Sequence, residues 1–298
     1  MNEDLWPLLK KVQQRQWHDI DFQETYGLNS SQFAVLSAIV SSPGLDQQTV
    51  SSVTFIGKST LVAVVTRLED RRLIHIEASP TDGRRYALYP TYEGRELAYV
   101  ATPEVLRRNQ RFLAPLGENR EAFLRSLEVV AFHGQEERRS RYFITSPDDT
   151  GPPITVTWGP GRLLRASIRR YSRLWDATIR FPTPQQHAVL RRVRDSPDTS
   201  QTALGDAIST TKASVAEMVA RLLAHDLIAR RRDEADGRRD LLRLTPGGEE
   251  LLHSIEPRVQ EVDDAFFTGL DAAGRRLVVE CLTRLAEDVA ELAAGTRG

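Results

Sequence analysis

Apolar positions recur at helical spacing through much of the chain. In RLLRASIRRYSRLWDATI, residues 162–179, Leu164, Ile168, Tyr171 and Trp175 fall three or four apart and define one helix face. The stretch PTPQQHAVLRRVRDSP follows, with Thr183 as N-cap, Pro184 in the first turn and Ser196-Pro197 as the stop. SQTALGDAIS predicts a short helix from Ser200. TTKASVAEMVARLLAHDLI predicts an amphipathic helix with Val215, Met218, Val219 and Leu222 on its inner face. ARRRDEADGRRDLLRLT then reads as strand, turn, strand, with Asp-Gly as the hairpin signal. Two long helical patterns close the chain, PGGEELLHSIEPRVQEVDDAFFTGL and DAAGRRLVVECLTRLAEDVAEL.

The first half carries the same pattern. Its TDGRRYALYPT matches ADGRRDLLRLT, and the step from Asp82 to Asp236 is 154 residues. That step also pairs Ala34-Val35-Leu36 with Ala188-Val189-Leu190, Lys58 with Lys212, Arg67-Leu68 with Arg221-Leu222, Gly94 with Gly248 and Phe112 with Phe266. One register held that long without a gap means two copies of one module, and LWPLLKKVQQRQWHDIDF opens the first copy. The correspondence fails across Gly134–Gly161, where Ser-Pro, Gly-Pro-Pro and Gly-Pro-Gly oppose helix. The expected layout is a module over 1–135, a linker over 136–157 with little structure beyond an edge strand in ITVTW, and a second module over 158–298.

Helix, short helix, turn, longer helix and hairpin compose a winged helix-turn-helix. The long flanking helices expose apolar faces that a second copy would cover. The expected fold is mainly α with small β wings: tandem winged helix-turn-helix modules whose flanking, dimerisation-type helices form an intramolecular pseudo-dimer.

Composition narrows the function. The 298 residues are 40% hydrophobic and 27% charged, as in a folded soluble chain. The opening MNEDLWPLLKKVQQ lacks the pattern of a secretory signal, and no apolar run approaches a membrane span, so cytosol is expected. Net charge is −1, which excludes a uniformly basic coat, but bases gather around the two Asp-Gly-Arg-Arg turns while the tail after Pro246 is acidic. The lone Cys281 sits in a helical pattern as a small core residue, without a disulfide partner.

Each half resembles a subunit of the MarR family of bacterial transcriptional regulators. The resemblance rests on STLVAVVTRLEDRRLIHIEASPTDGRRYALYPTYEGREL and ASVAEMVARLLAHDLIARRRDEADGRRDLLRLTPGGEELL, and spans nearly the whole chain apart from the linker. The family is normally a homodimer of one such module, so the resemblance implies a dimer fused into one polypeptide. LDQQTVSSVTFIG departs from the family's short helix and LYPT from its usual strand end.

The repeated turn then acquires a role. Gly lets the hairpin reverse sharply, and the Arg after it projects toward a narrow, negative minor groove. The family's wing implies that Asp82 directs Arg84 and Asp236 directs Arg238, with Arg85 and Arg239 as supporting bases. At the recognition-helix starts, Lys58, Ser59 and Thr60, and Thr210, Thr211, Lys212 and Ser214, join the backbone N–H groups as phosphate partners. Arg67 and Arg221 either brace the wing or reach the backbone. Glu217, against Ala63 in the first copy, is a candidate base reader.

Enzyme readings fail: the chain has no GxSxG, no P-loop, no glycine fingerprint, and its six His lack HxxxH or HExxH spacing. Neither a metal site nor a cofactor is expected. Asp263-Asp264 reads as a solvated helix face. The resemblance implies a small aromatic or amphipathic acid as effector, with Trp17, His18 and Phe22, and Arg169, Tyr171 and Trp175, as candidate pocket residues. The leading expectation is a ligand-responsive repressor binding double-stranded DNA at an asymmetric operator, one chain at a time. The alternatives are a regulator whose N-terminal module serves only as dimer base or ligand sensor, and a winged-helix interaction scaffold.

Overall fold

The computed structural model describes residues 4–19, 23–78, 86–134, 142–144, 154–156, 159–208, 210–232 and 240–295. The first repeat runs α1 (Leu5–Asp19), α2 (Gln23–Tyr26), α3 (Ser30–Ser41), β1 (Leu45–Asp46), α4 (Gln47–Thr54), α5 (Lys58–Asp70), β2 (Ile74–Ala78), β3 (Tyr86–Pro90), α6 (Tyr92–Phe112) and, after a 3-10 turn, α7 (Arg120–Phe132). A hairpin of β4 (Tyr142–Ile144) and β5 (Ile154–Val156) follows. The second repeat runs α8 (Pro160–Thr178), α9 (Pro184–Asp195), β6 (Thr199–Ser200), α10 (Gln201–Ala207), α11 (Lys212–Ala224), β7 (Ile228–Arg232), β8 (Asp240–Leu244), α12 (Pro246–Phe266) and α13 (Ala272–Gly295). From α3 to α6 the starts recur 154 residues later, so the sequence repeat is a structural one.

Each wing is a three-stranded antiparallel sheet, in the orders β1-β3-β2 and β6-β8-β7. Ile74 pairs with Pro90 and Ala78 with Tyr86; Ile228 pairs with Leu244 and Arg232 with Asp240. The two recognition helices stop in the same way. Arg72 and Asp226 take left-handed backbone, φ 57° and 53°. The next N–H groups, of Leu73 and Leu227, return to the carbonyls of Leu68 and Leu222 at 2.9 and 3.0 Å. This closure satisfies carbonyls that the helix end leaves open, and burial of Leu73 and Leu227 offsets the cost of a non-glycine left-handed residue.

Gly94 and Gly248 are fixed by close approach. A Cβ on Gly94 would stand 1.9 Å from the Leu73 carbonyl oxygen, and one on Gly248 2.2 Å from that of Leu227. The Thr before each helix locks the junction. Thr91 Oγ1 accepts from the Gly94 N–H at 3.1 Å and donates to the Arg72 carbonyl at 2.8 Å; Thr245 does the same with Gly248 and Asp226 at 3.1 and 2.6 Å. The helix after each wing is thereby held to the end of the recognition helix.

The compact units do not follow the repeat boundary. One unit comprises residues 1–14 with 168–286, the other 15–167 with 287–298. Each takes part of a first helix from the opposite repeat. In the C-terminal unit, the Trp6 ring of α1 lies 5.6 Å from Tyr171 of α8. In the N-terminal unit, Arg165 of α8 donates to the Thr54 carbonyl of α4 at 2.9 Å. The N-terminal unit's core joins Leu36 and Ile39 of α3, Val65 and Leu68 of α5, and Leu88 of β3.

The expected linker carries more structure than its punctuation suggested. Tyr142 pairs with Val156 and Ile144 with Ile154, and the strands lie against α3 and α6. β5 is the strand expected in ITVTW, whereas its partner β4 carries no alternation to announce it; their ladder satisfies backbone groups that docking on helices takes from water.

Candidate nucleic-acid interface

The recognition helices α5 and α11 bury one face and present the other. Leu61, Val64, Val65 and Leu68 are buried on α5, and Val215, Val219 and Leu222 on α11. Outward positions are set by the remainder of the period. Lys58, Ser59, Thr60 and Arg67 on α5 are exposed, as are Lys212, Ser214, Glu217 and Arg221 on α11 and its cap Thr211. Thr210, half-buried, is anchored by its N–H to the Gly205 carbonyl at 3.2 Å.

The helix starts differ. Thr211 caps α11: its hydroxyl accepts from the Ser214 N–H at 3.3 Å and donates to Ser214 Oγ at 3.0 Å. Gly57 caps α5 with no side-chain hydrogen bond. The outer faces differ as well. Glu217 accepts from Arg221 at 2.5 Å, so the carboxylate of the candidate base reader already holds the Arg one turn away. Such an exposed pair contributes little to stability and can be exchanged for a partner. Ala63 stands at the matching place on α5, beside Val62, which is 53% exposed. An outward Val suits a thymine methyl. Sequence reasoning passed over it, although its position off the inner stripe marks it.

The strands feeding the wings also diverge. On β7, Arg230, Arg231 and Arg232 are all exposed, whereas β2 has His75 and Glu77 flanking Ile76, bridged at 3.1 Å. Asp198, in left-handed backbone beside β6, draws in Arg243 and Arg231, and Arg243 holds its carboxyl below the ordinary range. The turn residues Asp82, Arg84, Arg85, Asp236, Arg238 and Arg239 lie outside the described residues, as does Phe22.

The aromatic candidates for an effector pocket part company. Trp17 and His18 are exposed on α1, and Arg169 is exposed on α8. Tyr171 and Trp175 are core residues: their rings lie 6.2 Å apart, and Trp175 Nε1 donates to the Pro182 carbonyl at 2.7 Å. His187 packs on Trp175 at 5.1 Å, and burial pushes it down to about 3, so it is a neutral packing residue. Asp263 does not share the solvated face of Asp264. It accepts from the Tyr171 hydroxyl at 2.9 Å, and burial raises its carboxyl to about 6. Cys281 is buried, with its thiol raised to about 11 by burial.

A cavity of about 100 Å³ opens instead within the N-terminal unit. Its wall includes Phe33, Val53 and Val105, the polar Gln16, Ser37 and Asn109, and Gly159, Gly161, Arg162 and Arg165 from the start of α8. Arg165 is buried, and loss of water alone pulls its pKa down to about 10. Gln16 Oε1, Ser37 Oγ and Asn109 Oδ1 are buried without a hydrogen-bond partner. Buried polar atoms are ordinarily satisfied by protein or by water, so these three acceptors and the Arg165 cation make the wall of the cavity polar. Among the described residues no three or more His, Cys, Asp or Glu gather as a metal site, and no single helix is long and apolar enough to cross a membrane.

Comparison with known proteins finds a family match in each repeat. Family models described as MarR family match residues 26–85 and 183–239. The transcriptional regulator HosA of Escherichia coli is 34% identical over 122 residues, covering 41% of this chain and 90% of its own length. The HTH-type transcriptional repressor NicR of Pseudomonas putida is 27% identical over 135 residues, covering 45% of this chain and 85% of its own. Among solved structures, Bordetella bronchiseptica BpsR, whose DNA binding is regulated by 6-hydroxynicotinic acid, is 31% identical. It covers 42% of this chain and 97% of that one, with a TM-score of 0.40.

Proposed function

The chain belongs to the MarR family of DNA-binding transcriptional regulators, and we propose that it acts as a single-chain pseudo-dimer on an asymmetric operator. Two observations support the reading: two-fifths of this chain suffices for nine-tenths of a regulator such as HosA, and each compact unit incorporates part of a first helix from the other repeat. Covalent fusion makes association of the modules intramolecular, at an effective concentration of about millimolar for a suitable linker.

In this reading α5 and α11 enter successive major grooves about 10 base pairs apart, and the Asp82–Arg84 and Asp236–Arg238 turns reach the flanking minor grooves. Lys58, Arg67, Lys212 and Arg221 position the helices on phosphate and carry no base information. Val62 and Ala63 face one half-site and Ala216 and Glu217 the other, so the half-sites differ. We propose a repressor, the role that NicR's name states for that relative, with the cytosol as its compartment. Selection from a random duplex library tests the reading by returning a consensus of two unlike halves. A perfect palindrome bound equally well would refute it.

We assign the effector to the N-terminal cavity. At about 100 Å³ the cavity is smaller than the roughly 150 Å³ that takes benzene, so a ring acid would have to widen it on entry. Arg165 supplies a cation for a carboxylate and the unsatisfied acceptors supply partners for hydroxyl groups. A small aromatic or amphipathic carboxylic acid is the matching class.

A second reading has support of its own. The three exposed arginines on β7, against His75 and Glu77 on β2, favour the C-terminal module as the DNA anchor and leave the N-terminal one more to sensing. Arg84→Ala and Arg238→Ala, made separately, decide between them: equal drops in affinity support two readers, and a drop only in Arg238→Ala supports one.

A further inference from the structure

We propose that one chain takes one effector, because the space in the C-terminal unit that matches the cavity is filled by the chain's own groups, with Asp4 as a built-in acid. This rests on the reading of the N-terminal cavity as the effector site.

The repeat register makes the comparison residue by residue. The cavity exists because its walls are small where α8 begins. A Cβ on Gly159 would meet Asn109 Nδ2 at 3.1 Å, and one on Gly161 would meet Gln16 Nε2 at 2.5 Å. At the start of α1, the first helix of the other repeat, stand instead Leu5, which is buried, and Pro7. Ser37 on the cavity wall corresponds to Arg191 on α9, and Asn109 to Asp263 on α12. A small hydroxyl thus gives way to a long cation, and a neutral amide to a carboxylate of the same size.

Those groups find partners within their own unit. Arg191 Nε lies 3.3 Å from the Asp4 carboxylate, and its Nη1 3.7 Å from Glu256. Asp263 accepts from the Tyr171 hydroxyl at 2.9 Å. The Tyr171 ring is covered by Trp6 and Phe266, each at 5.6 Å. A carboxylate on a guanidinium, a ring beside it and a hydroxyl on a polar acceptor are the interactions that a small aromatic acid would make. Here Asp4, Trp6 and Tyr171 make them, and two of the three come from the N-terminal segment at α1.

The two units therefore differ in kind. In the N-terminal unit Gln16, Ser37 and Asn109 bring unsatisfied acceptors to an open cavity, whereas in the C-terminal unit the matching Arg191 and Asp263 face Asp4 and Tyr171 of the same chain. The effector acts on the N-terminal half alone, and the C-terminal module keeps one arrangement with or without it.

Isothermal titration of the full chain with benzoate and its hydroxylated derivatives tests this, using wild type, Arg165→Gln and Arg191→Ser, alongside melting of Asp4→Ala. One equivalent per wild-type chain is expected, weakened roughly tenfold or more in Arg165→Gln and retained in Arg191→Ser. Two equivalents in the wild type would overturn the inference. So would one equivalent that survives Arg165→Gln and vanishes in Arg191→Ser. Absence of binding by all these acids would refute the effector reading instead, and the built-in acid is then judged by Asp4→Ala alone. That variant should melt lower than wild type and recover in acetate but not in chloride at equal ionic strength; failure of acetate to act selectively would remove Asp4 from the role.

Discussion

Replacing Asp263 with Asn isolates the energetic cost of the filled site in the C-terminal unit. Asp263 lies on α12 and accepts the Tyr171 hydroxyl. Burial raises its carboxyl from an ordinary 3.8 to about 6; the Tyr171 hydrogen bond and Arg275 pull it down, and Asp4 and Asp264 push it further up. A folded-state value above the unfolded one means that protonation favours the fold. The stability gained is full below pH 3.8 and is lost as pH rises through 6. Conversion at ~1.36 kcal/mol per pH unit gives at most about 3 kcal/mol of penalty near pH 8. Asn keeps an acceptor for the Tyr171 hydroxyl and cannot ionise, and the other repeat carries Asn109 at this position. Urea unfolding followed by tryptophan fluorescence should therefore show Asp263→Asn more stable than wild type at pH 8, by up to about 3 kcal/mol, with the difference shrinking toward pH 4. A variant less stable at pH 8 would refute the reasoning, because the ionised carboxylate would then gain more from Tyr171 and Arg275 than burial costs it.

Three further outcomes concern the wing, its junction and the cap of α5. Arg84→Ala with Arg238→Ala should weaken operator binding and flatten its salt dependence by about one unit of slope for each phosphate no longer neutralised, with the melting temperature little changed; fluorescence anisotropy across a salt series checks it. Gly248→Ala should destabilise the C-terminal unit by about 3 kcal/mol, since its Cβ would collide with the Leu227 carbonyl oxygen. Gly57→Ala, with nothing within 4 Å of the added Cβ, should unfold near the wild-type midpoint in the same denaturant titration.

Much of this architecture was legible in the residues because it is local. Val215, Val219 and Leu222 sit three or four apart and are buried together on α11, and Thr183 and Thr245 cap the helices that follow them. That the flanking helices would need a second copy was legible in their apolar faces; that the first helices divide after residues 14 and 167 was not, because a repeat shows which segments are alike and not where one compact unit gives way to the next. Asp263 and Asp264 illustrate a second limit. Adjacent acids on a helix point about 100° apart, so one reaches Tyr171 while the other pairs with Arg275. The cavity was missed for a related reason. Large rings drew attention to Tyr171 and Trp175, which fill space, whereas the open volume lies where Gly159, Gly161 and Ser37 leave it unfilled.

The central claim is that one polypeptide supplies both halves of the DNA reader. Sedimentation velocity of the full chain with its selected operator duplex, at nanomolar concentration, measures this directly. The account predicts a complex of one chain per duplex, with both half-sites protected in a footprint of the same mixture. Two chains per duplex at saturation, or one chain protecting a single half-site, would contradict it.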